Sequence, residues 1–302
     1  MDYNLPDGIY PPVPTFFDEQ EELDLATLRR HMQRIADSGI AGYVLMGSNG
    51  EAVHLSAEER AQVIRTAREV VGHNTRMPLI AGCGDHSTRA TIAHCRQAAD
   101  NGADIALILP PAYYKSNMQR AALLAHYRAV ADASPLPILI YNMPASTGGL
   151  DLDAETITLL ARHPRIIGLK DSSANVTKLA QVVDAVRPSF RVFAGSASFL
   201  LPALAVGAVG AVAALANVLP REVCAVQTLF TNNQLAEARR LQAALIAPNN
   251  AVTTLFGVPG LKAALEQVAG YGGKPRMPLQ PLGEQERQRV KEIFKPFLAQ
   301  NM

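Results

Sequence analysis

Tryptophan is missing from this 302-residue sequence, and cysteine occurs only three times. Cys83, Cys95 and Cys224 are odd in number and show no CxxC spacing. That pattern argues against a disulfide framework or a cysteine zinc site and leads to the expectation of a reducing, cytoplasmic setting. Long runs of one charge are also missing: 28 Lys and Arg stand against 27 Asp and Glu, a net charge of +1, and the basic residues are scattered. The sequence therefore lacks the electrostatic footprint of a nucleic-acid or membrane-surface binder. The leading segment MDYNLPDGIYPP holds acids and prolines without an apolar stretch, unlike a signal or transit peptide. One run, residues 199–220, is free of charge and has the length of a membrane span. Pro202, Gly207 and Gly210 interrupt it, and it divides into a short helix, a glycine turn and a buried strand GAVAALAN. These exclusions leave a globular chain, 48% hydrophobic and 18% charged, whose expected partner is a small molecule.

Short apolar runs bounded by Gly or Pro recur along the chain: GIYPPVPTF, GYVLMGS, PLIAGCG, ADIALILPP, PILIYNMP, IIGLKDS, RVFAGSA and GAVAALAN. Between them lie segments of helical period, one opened by a capping box at Ser56 and Glu59. Runs that are apolar throughout, without alternation, indicate strands buried on both faces, as in a parallel sheet covered by helices. Eight such strands, each followed by a helix, predict a (β/α)8 TIM barrel over residues 1–225. After it the pattern turns helical without strands, which predicts a C-terminal helical extension over residues 226–302. The alternative, an open doubly wound sheet, lacks its phosphate fingerprint, since AGCGDHS supplies Gly82 and Gly84 but no third glycine.

A barrel of this kind places its chemistry at the C-terminal ends of the strands. Those ends read GSNGE, GDH, PPAYYK, YNMPASTG, KDSS and GSAS. Among them Lys170 closes the apolar run Ile166 to Leu169, where a lysine is either reaching solvent or held for a purpose. Side chains alternate along a strand, so Lys170 faces opposite to Leu169 and Asp171. With Lys170 turned into the barrel, Asp171 turns to the helices and leaves the amine unpaired in a dry pocket. Desolvation penalises the charged form of such an amine, and the neutral form is a nucleophile for a substrate ketone. Tyr141 is either a satisfied core tyrosine or an acid/base. Ser48 is either a helix cap or, with Tyr114, part of a hydroxyl relay. The Gly47–Gly50 turn, with Asn49, offers backbone N–H groups to a carboxylate, and Glu51 is expected to serve as an acceptor for loop N–H groups.

The motifs GSNGE, PPAYYK, YNMPASTG, GLKDSS and FAGSASF occur in the order and spacing that resembles the dihydrodipicolinate synthase / N-acetylneuraminate lyase family, from about Pro12 to Pro281. That resemblance implies a class I, pyruvate-handling aldolase with no metal or organic cofactor, in which the covalent lysine–pyruvate imine forms on Lys170. It implies Tyr141, Ser48 and a Tyr114 lent by a neighbouring subunit as the proton relay, and Ser48 with Asn49 as holders of the pyruvyl carboxylate. Ser146, Ser172, Gly195, Ser196 and Val212 complete the implied substrate-binding set, Ser172 and Ser196 for the distal part of the substrate. It also implies a homotetramer built as a dimer of dimers. In dihydrodipicolinate synthases an arginine follows the YNxPS segment and binds the second substrate's carboxylate; here the position is Ser146. Losing that clamp removes a contact of roughly 1.5 to 3 kcal/mol. HPRIIGLKDSS, GAVGAVAALANVLPREVC and APNNAVTTLFGVPGLKAALEQVAGYGG are instead similar to the 4-hydroxy-2-oxoglutarate aldolase branch. The implied reaction is cleavage of a 4-hydroxy-2-oxo acid to pyruvate and an aldehyde, glyoxylate first among them. The alternatives within the family are dihydrodipicolinate synthesis and cleavage of another 2-keto-3-deoxy acid.

Two rivals come from other classes. A metal-dependent aldolase or hydrolase would draw on Glu51, Asp85, His86 and Asp171, but no HExxH-like pair is present. A catalytically silent keto-acid sensor would not need Lys170, Tyr141 and Ser48 together. His31, His73, His126 and His163 fall in or beside helical segments and are expected to be surface or packing residues.

Overall fold

The computed structural model describes residues 5–72 and 77–298; His73 and the first four residues of the leading segment lie outside the described residues. Among the described residues eight strands form: β1 Gly8–Tyr10, β2 Tyr43–Leu45, β3 Leu79–Gly82, β4 Ile105–Ile108, β5 Ile138–Asn142, β6 Ile166–Asp171, β7 Arg191–Ala194 and β8 Gly210–Val212. Each is followed by a helix: α1 Leu25–Ala36, α2 Ala57–Val71, α3 Thr88–Asp100, α4 Arg120–Ala133, α5 Ala154–Ala161, α6 Val176–Ala185, α7 Leu200–Ala205 and α8 Pro220–Thr231. Three more helices follow, α9 Leu235–Asn250, α10 Gly257–Ala269 and α11 Glu284–Leu298, with a π-helical turn at Ala251–Leu255 between the first two. The chain is a TIM barrel with added C-terminal helices. No helix among the described residues is long and apolar enough to cross a membrane.

Local chemistry sets the helix starts. The side chains of Asp24, Ser56, Ser87, Asp153 and Asn175 each accept an N–H from the first turn of α1, α2, α3, α5 and α6, satisfying donors that a helix start leaves open. The Ser56–Glu59 capping box is present in both halves.

All strand pairs are parallel, in the order β1-β8-β7-β6-β5-β4-β3-β2. Closure between β1 and β2 uses the segment after β1. Val13 donates to the Val44 carbonyl at 2.8 Å and Val44 to the Pro11 carbonyl at 3.0 Å. Pro11 and Pro12 have no N–H to give, so the seam relies on the Pro11 carbonyl and on the Val13 N–H.

The buried apolar residues fall into two groups that correspond to the two faces of the sheet. Tyr10, Val44, Ile80, Leu107, Leu139, Tyr141, Ile167, Phe193 and Val212 fill the barrel interior. Their strand neighbours, such as Leu45, Ala81, Ile140 and Leu169, pack outward against the helices. This is the two-sided burial that the unbroken apolar runs predict.

The last strand is shorter than the sequence suggests. GAVAALAN extends only over Gly210–Val212 before Ala214–Asn217 wind into a 3₁₀ turn. That turn brings Asn217 into the core, where Nδ2 donates to the Pro12 and Ala214 carbonyls. Its Oδ1 lies 3.0 Å from His31 Nε2. The other His31 nitrogen lies 3.1 Å from the Tyr271 hydroxyl, which accepts from Arg34 Nε at 2.9 Å. The fully buried His31 therefore joins α1, the β8 turn and the C-terminal segment.

Burial holds the His31 imidazole at about 3 and that of His126, which meets Thr88 Oγ1 at 2.9 Å, at about 4. An unfolded histidine takes its proton near about 6.5, so below that pH the unfolded chain binds more protons than the folded one. Stability therefore falls as the pH drops from about 6.5 towards 4, and each histidine contributes a loss of about 2 kcal/mol between pH 7 and pH 5. Urea denaturation at the two pH values measures the loss. A His126→Gln variant is expected to show about half of it.

Candidate active site

The strand β6 contains one residue more than its partner. Ile166 pairs with Ile138, but Gly168 pairs with Leu139, so Ile167 is the extra residue of a bulge. The bulge matters because side-chain direction alternates with a period of two. Ile167 belongs to the interior, and strict alternation from it would send Leu169 and Asp171 inward. With the parity shifted, Leu169 packs outward and Lys170 stands in register with the interior residues Tyr141 and Phe193. Glycine makes the shift feasible: a Cβ on residue 168 would lie 2.4 Å from the Arg191 carbonyl oxygen and 2.9 Å from Leu139 Cδ1.

On the outer face Asp171 meets Lys178 of α6 at 2.9 Å, and Lys178 also reaches Asp151 at 2.5 Å. Asn142 donates to Asp151 at 2.6 Å and to Asp171 at 3.4 Å, while the Ser173 amide donates to Asp171 at 2.6 Å. The acid next to Lys170 in sequence is thus satisfied from behind the barrel wall and does not serve as the partner of the amine. A buried carboxylate needs that many partners to be tolerated.

Inside, Lys170 is 3% exposed and its Nζ lies 3.7 Å from the centroid of the Tyr141 ring. The Tyr141 hydroxyl lies 3.4 Å from Ser48 Oγ and donates to Met143 Sδ at 2.6 Å. Ser48 Oγ reaches the same sulfur at 3.6 Å. Lys170, Tyr141 and Ser48, predicted from three different strand ends, are therefore brought together. Ser48 opens a 3₁₀ turn, Ser48–Gly50, that also contains Asn49. Its bonds run from Gly50 N–H to the Gly47 carbonyl and from Glu51 N–H to the Ser48 carbonyl. The first amides of such a turn have no partner within it. A cavity of about 440 Å³ opens at this end of the barrel, with Ser48, Tyr141, Ser146, Asp85, His86 and Leu107 among its walls.

The other predicted residues are distributed differently. Ser172 and Gly195 lie side by side at the ends of β6 and β7. Ser172 Oγ is 3.5 Å from the Gly195 carbonyl, and a Cβ on residue 195 would fall 1.9 Å from that hydroxyl. Ser196 donates to Asn249 Oδ1 of α9 at 3.0 Å, and Val212 is an interior residue 1% exposed. Of the predicted residues only Ser48, Tyr141 and Ser146 line the cavity; Lys170, Asn49, Tyr114, Ser172, Gly195, Ser196 and Val212 do not, and the Lys170 amine stands behind the Tyr141 ring. Tyr114 stands at the rim, 69% exposed and edge-on to Tyr113 at 5.0 Å, and among the described residues no hydrogen bond joins it to Ser48 or Tyr141.

Sequence reasoning did not single out Met143, Asn142 or Asn249. Met143 was accessible in principle, because a residue two places beyond Tyr141 shares its face. Asn249 sits inside a helical pattern where nothing marks it.

The model of the dihydrodipicolinate synthetase family matches residues 5–296. The probable mitochondrial 4-hydroxy-2-oxoglutarate aldolase of Emericella nidulans is 44% identical over 95% of this chain and 93% of its own length. The L-threo-3-deoxy-hexylosonate aldolase of Hypocrea jecorina is 39% identical over 96% of this chain and 94% of its own. Among solved structures, a dihydrodipicolinate synthase of Bacillus anthracis superposes with a TM-score of 0.91 at 27% identity, covering 96% of this chain and 97% of that one. The mitochondrial designation of the Emericella relative overturns the expectation of a cytoplasmic protein. Three cysteines without CxxC spacing argue against a disulfide framework and do not distinguish one compartment from another.

The bulge makes a prediction. Gly168→Ala forces the Arg191 carbonyl and the β6 backbone apart, and is expected to lower stability by about 1 to 3 kcal/mol in urea denaturation.

Proposed function

Because the chain belongs to the dihydrodipicolinate synthetase family and is an aldolase, a carbon–carbon lyase, we propose that it cleaves a 4-hydroxy-2-oxo acid to pyruvate and an aldehyde through a Schiff base on Lys170. The leading substrate is 4-hydroxy-2-oxoglutarate, with glyoxylate as the aldehyde. The observation that carries this reading is the placement of an amine, 3% exposed and 3.7 Å from the Tyr141 ring centroid, at the end of a strand whose neighbouring acid is paired elsewhere.

Lys170 Nζ attacks the C2 carbonyl, and loss of water gives the iminium. Tyr141 takes the proton of the C4 hydroxyl, with Ser48 extending the relay. The C3–C4 bond breaks, its electron pair moves into the iminium to form an enamine, and the aldehyde leaves. Protonation at C3 and addition of water return pyruvate and the free amine. The Ser48–Asn49 turn holds the carboxylate beside C2. Gly195 and Val212 border the substrate, while Ser172 and Ser196 meet its distal end and Ser146 meets it from the β5 loop. The imine is the only covalent link between enzyme and substrate, and the proposed steps call on no metal. In a homotetramer arranged as a dimer of dimers, Tyr114 of the partner subunit completes the relay. The exposure of Tyr113, Tyr114 and Val53 at the rim supports such a contact.

A 3-deoxy-hexylosonate carries the same 2-oxo-4-hydroxy arrangement, and the 39% identity to the Hypocrea enzyme makes it the second substrate to test. Measured side by side, kcat/KM for cleavage of 4-hydroxy-2-oxoglutarate should exceed that for condensation of pyruvate with aspartate semialdehyde by at least about tenfold, as Ser146 offers no bidentate clamp. Preference for the condensation would refute the assignment. Tyr141→Phe should lower kcat by roughly 10²- to 10⁴-fold while leaving imine formation detectable.

A further inference from the structure

The C-terminal helices meet the turn that carries Ser48 at a buried carboxylate. Glu51, which ends the turn begun by Ser48, has a left-handed backbone with φ of 51° and a side chain without exposure. Its Oε1 lies 2.8 Å from Nζ of Lys262 on α10, itself 1% exposed. Its Oε2 accepts from the Arg276 amide at 2.9 Å and meets His54 Nδ1 at 3.1 Å. Lys262 also donates to the Lys274 carbonyl at 2.8 Å and lies 4.7 Å from the Phe17 ring centroid. Arg276 pairs with Glu59 of α2 at 2.6 Å and lies 4.2 Å from the same ring. Thr15 Oγ1 holds the adjoining Gly50 carbonyl at 2.7 Å.

A buried ion pair is a poor device for stability, because desolvation offsets most of the attraction and a well-packed apolar pair serves as well. It is an effective device for geometry: a buried carboxylate that loses its partner is strongly penalised, so few placements of the turn satisfy it. A non-glycine residue in the left-handed region adds a backbone penalty that the surrounding contacts must overcome. The turn's own bond from Glu51 N–H to the Ser48 carbonyl, 3.2 Å, passes any displacement of Glu51 to Ser48.

We propose that Glu51 and Lys262 are positioning residues, through which the C-terminal extension sets the placement of the Ser48–Asn49 turn for the substrate carboxylate. The inference rests on the reading that Lys170 forms the imine and that this turn holds the oxo-acid carboxylate. Two signals separate positioning from general loosening: where the effect appears between KM and kcat, and whether removing both partners restores what removing one has lost.

The test uses pyruvate as the probe, with borohydride to trap the imine, and follows the labelled fraction as pyruvate is varied, alongside KM and kcat for cleavage. Lys262→Met should raise half-saturating pyruvate and KM by at least about tenfold with kcat within about threefold of the parent. The double variant Glu51→Gln/Lys262→Met should recover most of that loss, since neither charge is then left unpaired. Val290→Ala, a buried truncation on α11, should lower stability and leave half-saturation unchanged. A folded Lys262→Met enzyme with parental half-saturation, or a Val290→Ala enzyme weakened as much, overturns the proposal. If Lys262→Met does not fold, the isosteric Glu51→Gln variant should show the same rise, and parental half-saturation in it overturns the proposal equally. Absence of any pyruvate label in the parent enzyme would defeat the imine reading itself, a failure distinct from normal labelling in every variant.

Discussion

One extra residue in β6 decides which charge faces the barrel interior. The bulge at Ile167 and Gly168 reverses the parity of the strand, so that Lys170 turns inward beside Tyr141 and Asp171 turns outward to Lys178. Without it the interior would receive a carboxylate and the helix layer an amine, and neither site would be usable. The reversal depends on glycine, because the Arg191 carbonyl occupies the space a side chain would need. Tyr141 links the two sides, with its ring against the Lys170 amine and its hydroxyl towards Ser48, Met143 and the cavity.

Much of this was legible in the sequence. The eight strands were visible as apolar runs because burial on both faces removes the polar alternation that would blur them, and Ser56 with Glu59 marked a helix start through contacts only three residues apart. Lys170, Tyr141 and Ser48 could be paired before the fold was known because the barrel sends every strand end to one face. What the sequence did not reveal depends on contacts between distant residues. The bulge is set by Arg191, more than twenty residues away, and GAVAALAN ends early because Asn217 is needed beside His31. Glu51 could be recognised as a structural acceptor, but its partners Lys262 and Arg276 lie on the far side of the chain. Nothing in the period of α10 distinguishes a buried lysine from a surface one.

The polar groups around the site therefore divide into two kinds. Lys170, Tyr141 and Ser48 stand at the barrel's inner face and mouth with few partners, as the proposed imine chemistry requires of them. Asp171 with Lys178 and Asn142, and Glu51 with Lys262 and the Arg276 amide, are held in ion pairs and hydrogen bonds outside it. Such networks make rigid supports, since a buried charge tolerates few arrangements. Their arrangement here, one behind β6 and one behind the β2 turn, supports Lys170 and Ser48 from opposite sides of the mouth.

The central claim is that the reacting amine is Lys170, and peptide mapping tests it most directly. After incubation of the full chain with pyruvate and borohydride, digestion and mass spectrometry should find the reduced pyruvyl adduct on the peptide containing Lys170, and Lys170→Ala should abolish it. An adduct on Lys178, Lys262 or another lysine in the parent chain, or labelling that survives Lys170→Ala, would contradict the account.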